Sequence, residues 1–167
     1  NKFGEKFKKD EAKNDTTKSG SIKSGVIKSK RALENIVNEN IGYIKSTAPN
    51  VHCLTNVVTM QDVANMLLAA GGSAIMAQDI KEMEEITQIA SATLLNMGVP
   101  SDEKIAAYIA AGKCANKLGH PVIFDPVGVG ASNYRKKCAN DILANVYPDI
   151  IRCNQEEAKV LLEFKNF

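Results

Sequence analysis

Between residues 51 and 153 the chain alternates short apolar runs with longer stretches of helical spacing. The apolar runs are "VHCL" (51–54), "SAIMA" (73–77), "TLLNM" (93–97), "PVIF" (121–124) and "DIIRC" (149–153). None shows the strict apolar–polar alternation of a strand with one wet face. Each reads as a strand covered on both faces. Between them, "TMQDVANMLLAA" (59–70) has helical spacing and stops at Gly71 and Gly72. Asp79 stands where it can cap the next helix, with Glu82 in the capping-box position, and that helix runs to about Ala90. Ser101 opens a helix that carries Ile105, Tyr108, Ile109 and Leu118 and closes at Gly119. Further helices are predicted over 134–145 and from Asn154 onward. Upstream, Leu33, Ile36, Val37, Ile41 and Ile44 share one face of a helix over 32–46. Strands that alternate with helices in this way are βαβ units. The predicted class is α/β, a parallel sheet with flanking helices and right-handed crossovers.

A chain of 167 residues can bury a substantial core. Residues 1–30 do not belong to it: they are rich in Lys, Ser, Asn and Gly and poor in large apolar side chains. Such a stretch cannot offset its chain entropy by burial and is expected to be a disordered, solvated basic tail rather than a phosphate- or lipid-binding arm. It contains no apolar segment of the secretory type. The net charge of +2 gives no argument for a nucleic-acid partner, and no apolar run has the length of a membrane span. Cys53, Cys114, Cys138 and Cys153 form no Cys-x-x-Cys pair, and His52 and His120 show no ligand spacing. These spacings argue against zinc and for reduced thiols in a cytoplasmic protein.

In open α/β sheets, ligands bind beyond the carboxyl ends of the strands, so the residues there are the candidates for chemistry. They include Thr55 and Asn56, then Met76, then Asn96, Met97 and Gly98. Asp125 follows with the loop "PVGVGAS", and last come Arg152, Asn154 and Glu157. Asp125 at the end of a buried strand can hold Mg²⁺ or accept a proton, and Gly128 and Gly130 let a ligand approach the backbone. Asp-Pro followed by glycines is equally ordinary turn chemistry, and the segment alone does not choose between the two. The loop is not a dinucleotide fingerprint, because Asn133 occupies the third glycine position, and there is no Walker A sequence. "IIRCNQEE" (150–157) carries two readings as well. Asn154 and Glu157 have the spacing of a helix-capping pair. They also place an amide and a carboxylate beside Arg152, a set that suits phosphate and Mg²⁺.

Taken together, "VHCLTN", "DVAN", "SAIMA", "LLNMG", "AGKCANKLGHPVIFDPVGVGAS" and "IIRCNQEE" resemble hydroxyethylthiazole kinases, in order and in spacing, over roughly residues 50–162. The resemblance implies a ribokinase-like fold. It implies phosphorylation of the hydroxyl of 4-methyl-5-(2-hydroxyethyl)thiazole by ATP with Mg²⁺, in thiamine biosynthesis and salvage. By position it implies that Met76, Asn56 and Gly98 line the thiazole pocket. Arg152 and Asn154 then meet ATP, and Asp125 and Glu157 lie near Mg²⁺ and the phosphates. It further implies a homotrimer with thiazole sites between subunits.

Two departures accompany the resemblance. The family's Arg-Gly-Asn reads Arg152-Cys153-Asn154 here, and its Gly-x-Gly-Cys anion-hole segment has no counterpart in these residues. Residues 31–167 are therefore expected to be the N-terminal part of such a kinase domain, truncated at the C-terminus. No catalytic residue is expected among them, and little or no turnover by these residues alone. The alternative is a non-catalytic thiazole-binding or assembly protein. Met76 and "VHCLTN" argue against a hydroxymethylpyrimidine kinase.

Overall fold

The structure is a computed structural model that describes residues 22–164. Helix α1 (Ile22–Thr47) leads into strand β1 (Asn50–Leu54), helix α2 (Met60–Ala70) and strand β2 (Ser73–Ile75). A 3₁₀ turn (Ile80–Glu82) precedes α3 (Met83–Ile89), β3 (Ala92–Asn96), α4 (Asp102–Leu118) and β4 (Val122–Asp125). A second 3₁₀ turn (Val129–Ala131), α5 (Asn133–Asn145), β5 (Ile150–Ile151) and α6 (Gln155–Leu161) complete it. The strands form one sheet in the order β2-β1-β3-β4-β5, and every neighbouring pair is parallel. All five carboxyl ends therefore lie on one edge, as the α/β reading requires.

The core follows from the unbroken apolar strands. Leu54, Leu95 and Phe124 are fully buried in three adjacent strands, in register with one another across β3. Ala107, Tyr108, Ala111 and Ala115 of α4 and Cys138, Ala139 and Ile142 of α5 are buried in the same cluster. Burying a side chain such as Phe124 contributes about 1.5–3 kcal/mol. The small residues of α4 allow close approach: a Cβ on Gly112 would lie 2.6 Å from both methyl groups of Val146.

The local punctuation agrees with the sequence where its partners are near in the chain. Helix α2 stops because Gly71 takes a left-handed φ of 97° and donates its N–H to Leu67 and Leu68 carbonyls. Ser101 Oγ accepts from the Lys104 N–H at 3.3 Å and opens α4. Four details differ from the sequence reading. The first helix begins at Ile22, not near 32, so the expected 1–30 tail lies outside the described residues only as far as residue 21. Its apolar stripe, Leu33, Ile36, Val37 and Ile41, is exposed among the described residues. Strands β2 and β5 are shorter than predicted, three and two residues. Both are edge strands that pair on one side only, so the ladder ends early, although the N–H groups of Asp149 and Arg152 still bond β4. Finally, Asp79 caps the 3₁₀ turn through the Lys81 N–H, and Glu82 ends that turn without a side-chain cap bond.

Candidate functional site

The carboxyl edge of the sheet presents the candidate residues in strand order. Met76 follows β2, Asn56 follows β1, Asn96 and Gly98 end and follow β3, Asp125 ends β4, and Arg152 follows β5. A line of side-chain hydrogen bonds joins four of these strands. Asn56 Nδ2 donates to Asn96 Oδ1 at 3.2 Å, and Asn96 Nδ2 donates to Asp125 Oδ2 at 3.1 Å. Arg152 Nη1 meets the same Asp125 oxygen at 3.2 Å. Asn56 Oδ1 also accepts from the Val58 N–H at 3.0 Å, which fixes its amide from the other side.

Gly98 is glycine for a steric reason. A Cβ there would run into Asn56 Nδ2 and sit 3.0 Å from Asn96 Oδ1. The Gly98 N–H donates to that oxygen at 2.9 Å. Met76 is half-buried and its side chain makes no hydrogen bond among the described residues, but its neighbour Ala77 is anchored. His52, fully buried on β1, holds the Ala77 carbonyl at 3.2 Å through Nε2 and Thr87 Oγ1 at 3.0 Å through Nδ1. Since a carbonyl only accepts, Nε2 carries the proton and the threonine hydroxyl donates to Nδ1. The ring is neutral, and burial lowers its pKa despite the Ala77 carbonyl and Glu82, which pull the other way.

Asp125 is buried, 7% exposed, and its Oδ1 has no partner among the described residues. Burial raises its pKa from the ordinary aspartate value. Arg152 and the Asn96 amide oppose the rise, and Glu157 adds to it. Arg152 is an exposed guanidinium that reaches this buried carboxylate, so its outer N–H groups remain open to a second anion while it stays paired with Asp125.

Glu157 is committed on both oxygens. Oε1 accepts from the Gly128 N–H at 2.8 Å, and Oε2 accepts from the Asn154 N–H at 2.9 Å. Asn154 Oδ1 accepts in return from the Glu157 N–H at 2.9 Å, so the capping box of α6 is complete. The capping reading of this pair is therefore realised, and it ties α6 to the glycine loop. That loop also shows turn chemistry: Gly128 has φ 67°, and a Cβ on Gly130 would press on Val160 at 3.2 Å. Beside it lies an open hollow of about 410 Å³ lined by Gly128, Gly130, Asn154, Glu156, Glu157 and Val160. Cys153 is exposed and is not in the left-handed region, so cysteine fits where the family pattern has glycine.

Asn96 stood among the edge candidates as a polar residue closing an apolar strand, but the resemblance gave it no role in the site. Arg135 gave no signal. Its Nη1 reaches the Met97 and Val127 carbonyls at 3.3 and 2.9 Å, and Nη2 reaches the Gly98 carbonyl at 2.8 Å. It thereby clamps the loops that follow β3 and β4.

Residues 41–166 match the hydroxyethylthiazole kinase family. The chain is 52% identical over 118 residues to a hydroxyethylthiazole kinase of Clostridium botulinum (strain Alaska E43 / Type E3), covering 71% of this chain and 42% of that one. It is 48% identical over 126 residues to that of Clostridium acetobutylicum, covering 75% of this chain and 46% of the other. The solved hydroxyethylthiazole kinase protein of Pyrococcus horikoshii OT3 superposes with a TM-score of 0.73 at 34% identity, covering 77% of this chain and 50% of that one. The chain thus spans about half the length of the relatives it matches.

Proposed function

Because the chain belongs to the hydroxyethylthiazole kinase family, we propose that it serves the ATP- and Mg²⁺-dependent phosphorylation of the hydroxyl of 4-methyl-5-(2-hydroxyethyl)thiazole. The observation that carries this reading is the single line from Asn56 through Asn96 and Asp125 to Arg152, which joins an amide at one end to a cation at the other. Met76, Asn56 and Gly98 form the thiazole end: a mostly apolar wall with one fixed amide suits a small heterocycle. Asp125, Arg152 and the loop of Gly128 form the phosphate end, with Asn154 and Glu157 behind them.

The residues at that end fit Mg²⁺. The free, buried Asp125 Oδ1 is a hard oxygen donor. Glu157 keeps its charge close by while its oxygens hold backbone N–H groups, so it would act through bound water. Among the described residues no group of three or more His, Cys, Asp or Glu could hold a metal by itself. That suits an ion that takes its remaining ligands from phosphate oxygens and water. When bound, Mg²⁺ supplies charge neutralisation for the phosphates. Arg152 contributes an exposed cation anchored on Asp125, and Asp125 is placed to orient the metal or to take a proton. A phosphate in the adjacent hollow meets Glu156 and Glu157, so it needs such a cation to enter.

A homotrimer belongs to the same proposal, and exposed Val57 and Val58 beside Asn56 supply apolar surface for a neighbouring subunit. So does a cytoplasmic location; among the described residues no helix is long and apolar enough to cross a membrane. The test is calorimetric titration of hydroxyethylthiazole into the protein. Binding is expected, and Met76→Asp should weaken it about tenfold or more by placing a charge on the apolar wall. Equal binding by both forms would remove Met76 from the site. A coupled ATPase assay addresses transfer: these residues alone should turn over thiazole little or not at all, and robust thiazole-dependent turnover would overturn that expectation.

A further inference from the structure

We propose that Asn96 is a positioning residue that holds the thiazole end and the phosphate end of the site in one fixed arrangement. The proposal rests on the functional reading above for what each end binds. Asn96 closes β3, the middle strand of the sheet, in register with Asp125. Its side chain serves both directions at once. Oδ1 accepts from Asn56 Nδ2 at 3.2 Å and from the Gly98 N–H at 2.9 Å, which uses both lone pairs. Nδ2 donates to Asp125 Oδ2 at 3.1 Å. Its main chain is held as well, because the buried Tyr108 hydroxyl of α4 donates to the Asn96 carbonyl at 2.9 Å.

This pattern admits one amide orientation. A flipped amide would set its NH₂ against two donors and its oxygen against a carboxylate. The chemistry also selects the residue type. The position needs an acceptor for two donors and a donor for a carboxylate, both on a single-methylene stem. Aspartate offers acceptors on both sides and would face Asp125. Leucine would leave Asn56 Nδ2 and the Gly98 N–H without a partner. Asn96 thus orients Asn56 toward one substrate and Asp125 toward the other, without being placed to touch either.

A double-mutant cycle with hydroxyethylthiazole as the probe tests this. Asn96→Ala should weaken thiazole binding about tenfold, the scale of one lost hydrogen bond. If Asn96 acts through Asn56, the double variant Asn56→Ala/Asn96→Ala should bind no worse than Asn56→Ala alone. Additive losses would overturn the proposal. A second measurement needs no ligand. In ¹⁵N NMR of the free protein, Asn96→Ala should shift the Asn56 side-chain amide pair while backbone resonances far from the edge hold. An unmoved Asn56 amide would overturn the proposal too. If the unsubstituted protein does not bind thiazole, the functional reading of that end fails, and the NMR result still decides the role of Asn96. Should Asn96→Ala not fold, Asn56→Ala and Asp125→Ala replace it: each should shift the Asn96 side-chain amide, and no shift in either refutes the arrangement.

Discussion

A methyl group added at Gly98 should break the site by a route that can be isolated. Gly98 is not among the residues with positive φ, so Gly98→Ala carries no left-handed backbone penalty. The added Cβ, however, collides with Asn56 Nδ2 and lies 3.2 Å from Asn56 Cγ and 3.0 Å from Asn96 Oδ1. The Asn56 amide has to swing aside. It then strains its bond to Asn96 and its bond to the Val58 N–H, and it does so in a side chain only 7% exposed. Each lost bond costs about 0.5–1.5 kcal/mol, and a buried polar atom left without a partner costs about 1–3 kcal/mol. A total of about 2 kcal/mol follows, which for a chain of this size lowers Tm by roughly 4–8 °C. The same substitution in an Asn56→Ala background meets no amide and should cost less than about 0.5 kcal/mol. Urea denaturation of the four proteins of this cycle gives the coupling directly. Equal losses in both backgrounds, or none in either, would refute the steric account of Gly98.

Three further outcomes are expected. His52 is neutral and buried with a lowered pKa, so the unfolded chain takes up a proton near 6.5 before the folded one does. Stability should therefore fall as pH drops below that value, by up to about 1.4 kcal/mol per pH unit, and His52→Phe should lose this component in pH-dependent urea denaturation; parallel profiles would refute it. Asp125 has a raised pKa, so its contribution to stability is present at low pH and is lost as pH rises through the folded-state value. Asp125→Asn should then raise the urea midpoint at pH 7 while weakening the response to Mg²⁺ and nucleotide, and a lower midpoint would sink the argument. Arg135→Lys exchanges a planar fork for a point charge and should cost about 1.5–3 kcal/mol, with faster amide exchange at Gly98 and Gly128; unchanged exchange would show that the clamp is not what holds the two loops.

What could be read from the residues alone is what depends on near neighbours in the chain. Five apolar runs meant five strands, and parallel pairing places their ends together, so Asn56, Gly98, Asp125 and Arg152 could be assigned to one edge in advance; the expected cover on both faces does not extend to the edge strands, where β2 is only half-buried and Ile150 of β5 is 58% exposed. Gly71, Ser101 and the Asn154–Glu157 box work over distances of three or four residues, and the folded chain uses them as their spacing suggests. Local rules misled at two kinds of place: β2 and β5 stop early because each has one neighbour, and Asp79 caps a 3₁₀ turn rather than the helix that follows it. The order of strands, the clamp of Arg135 on carbonyls 37 and 38 residues away, and the second use of Glu157 as an acceptor for Gly128 exist only in the fold. So does the line through Asn96, whose partners are 40 residues behind it and 29 ahead. The sequence by itself determined which groups stand at the sheet's edge, because periodicity and capping are properties of a few consecutive residues. Only the tertiary structure decided which of them touch. Hydrogen bonds between strands depend on register and side-chain direction across the sheet, and neither is encoded in any short stretch of chain.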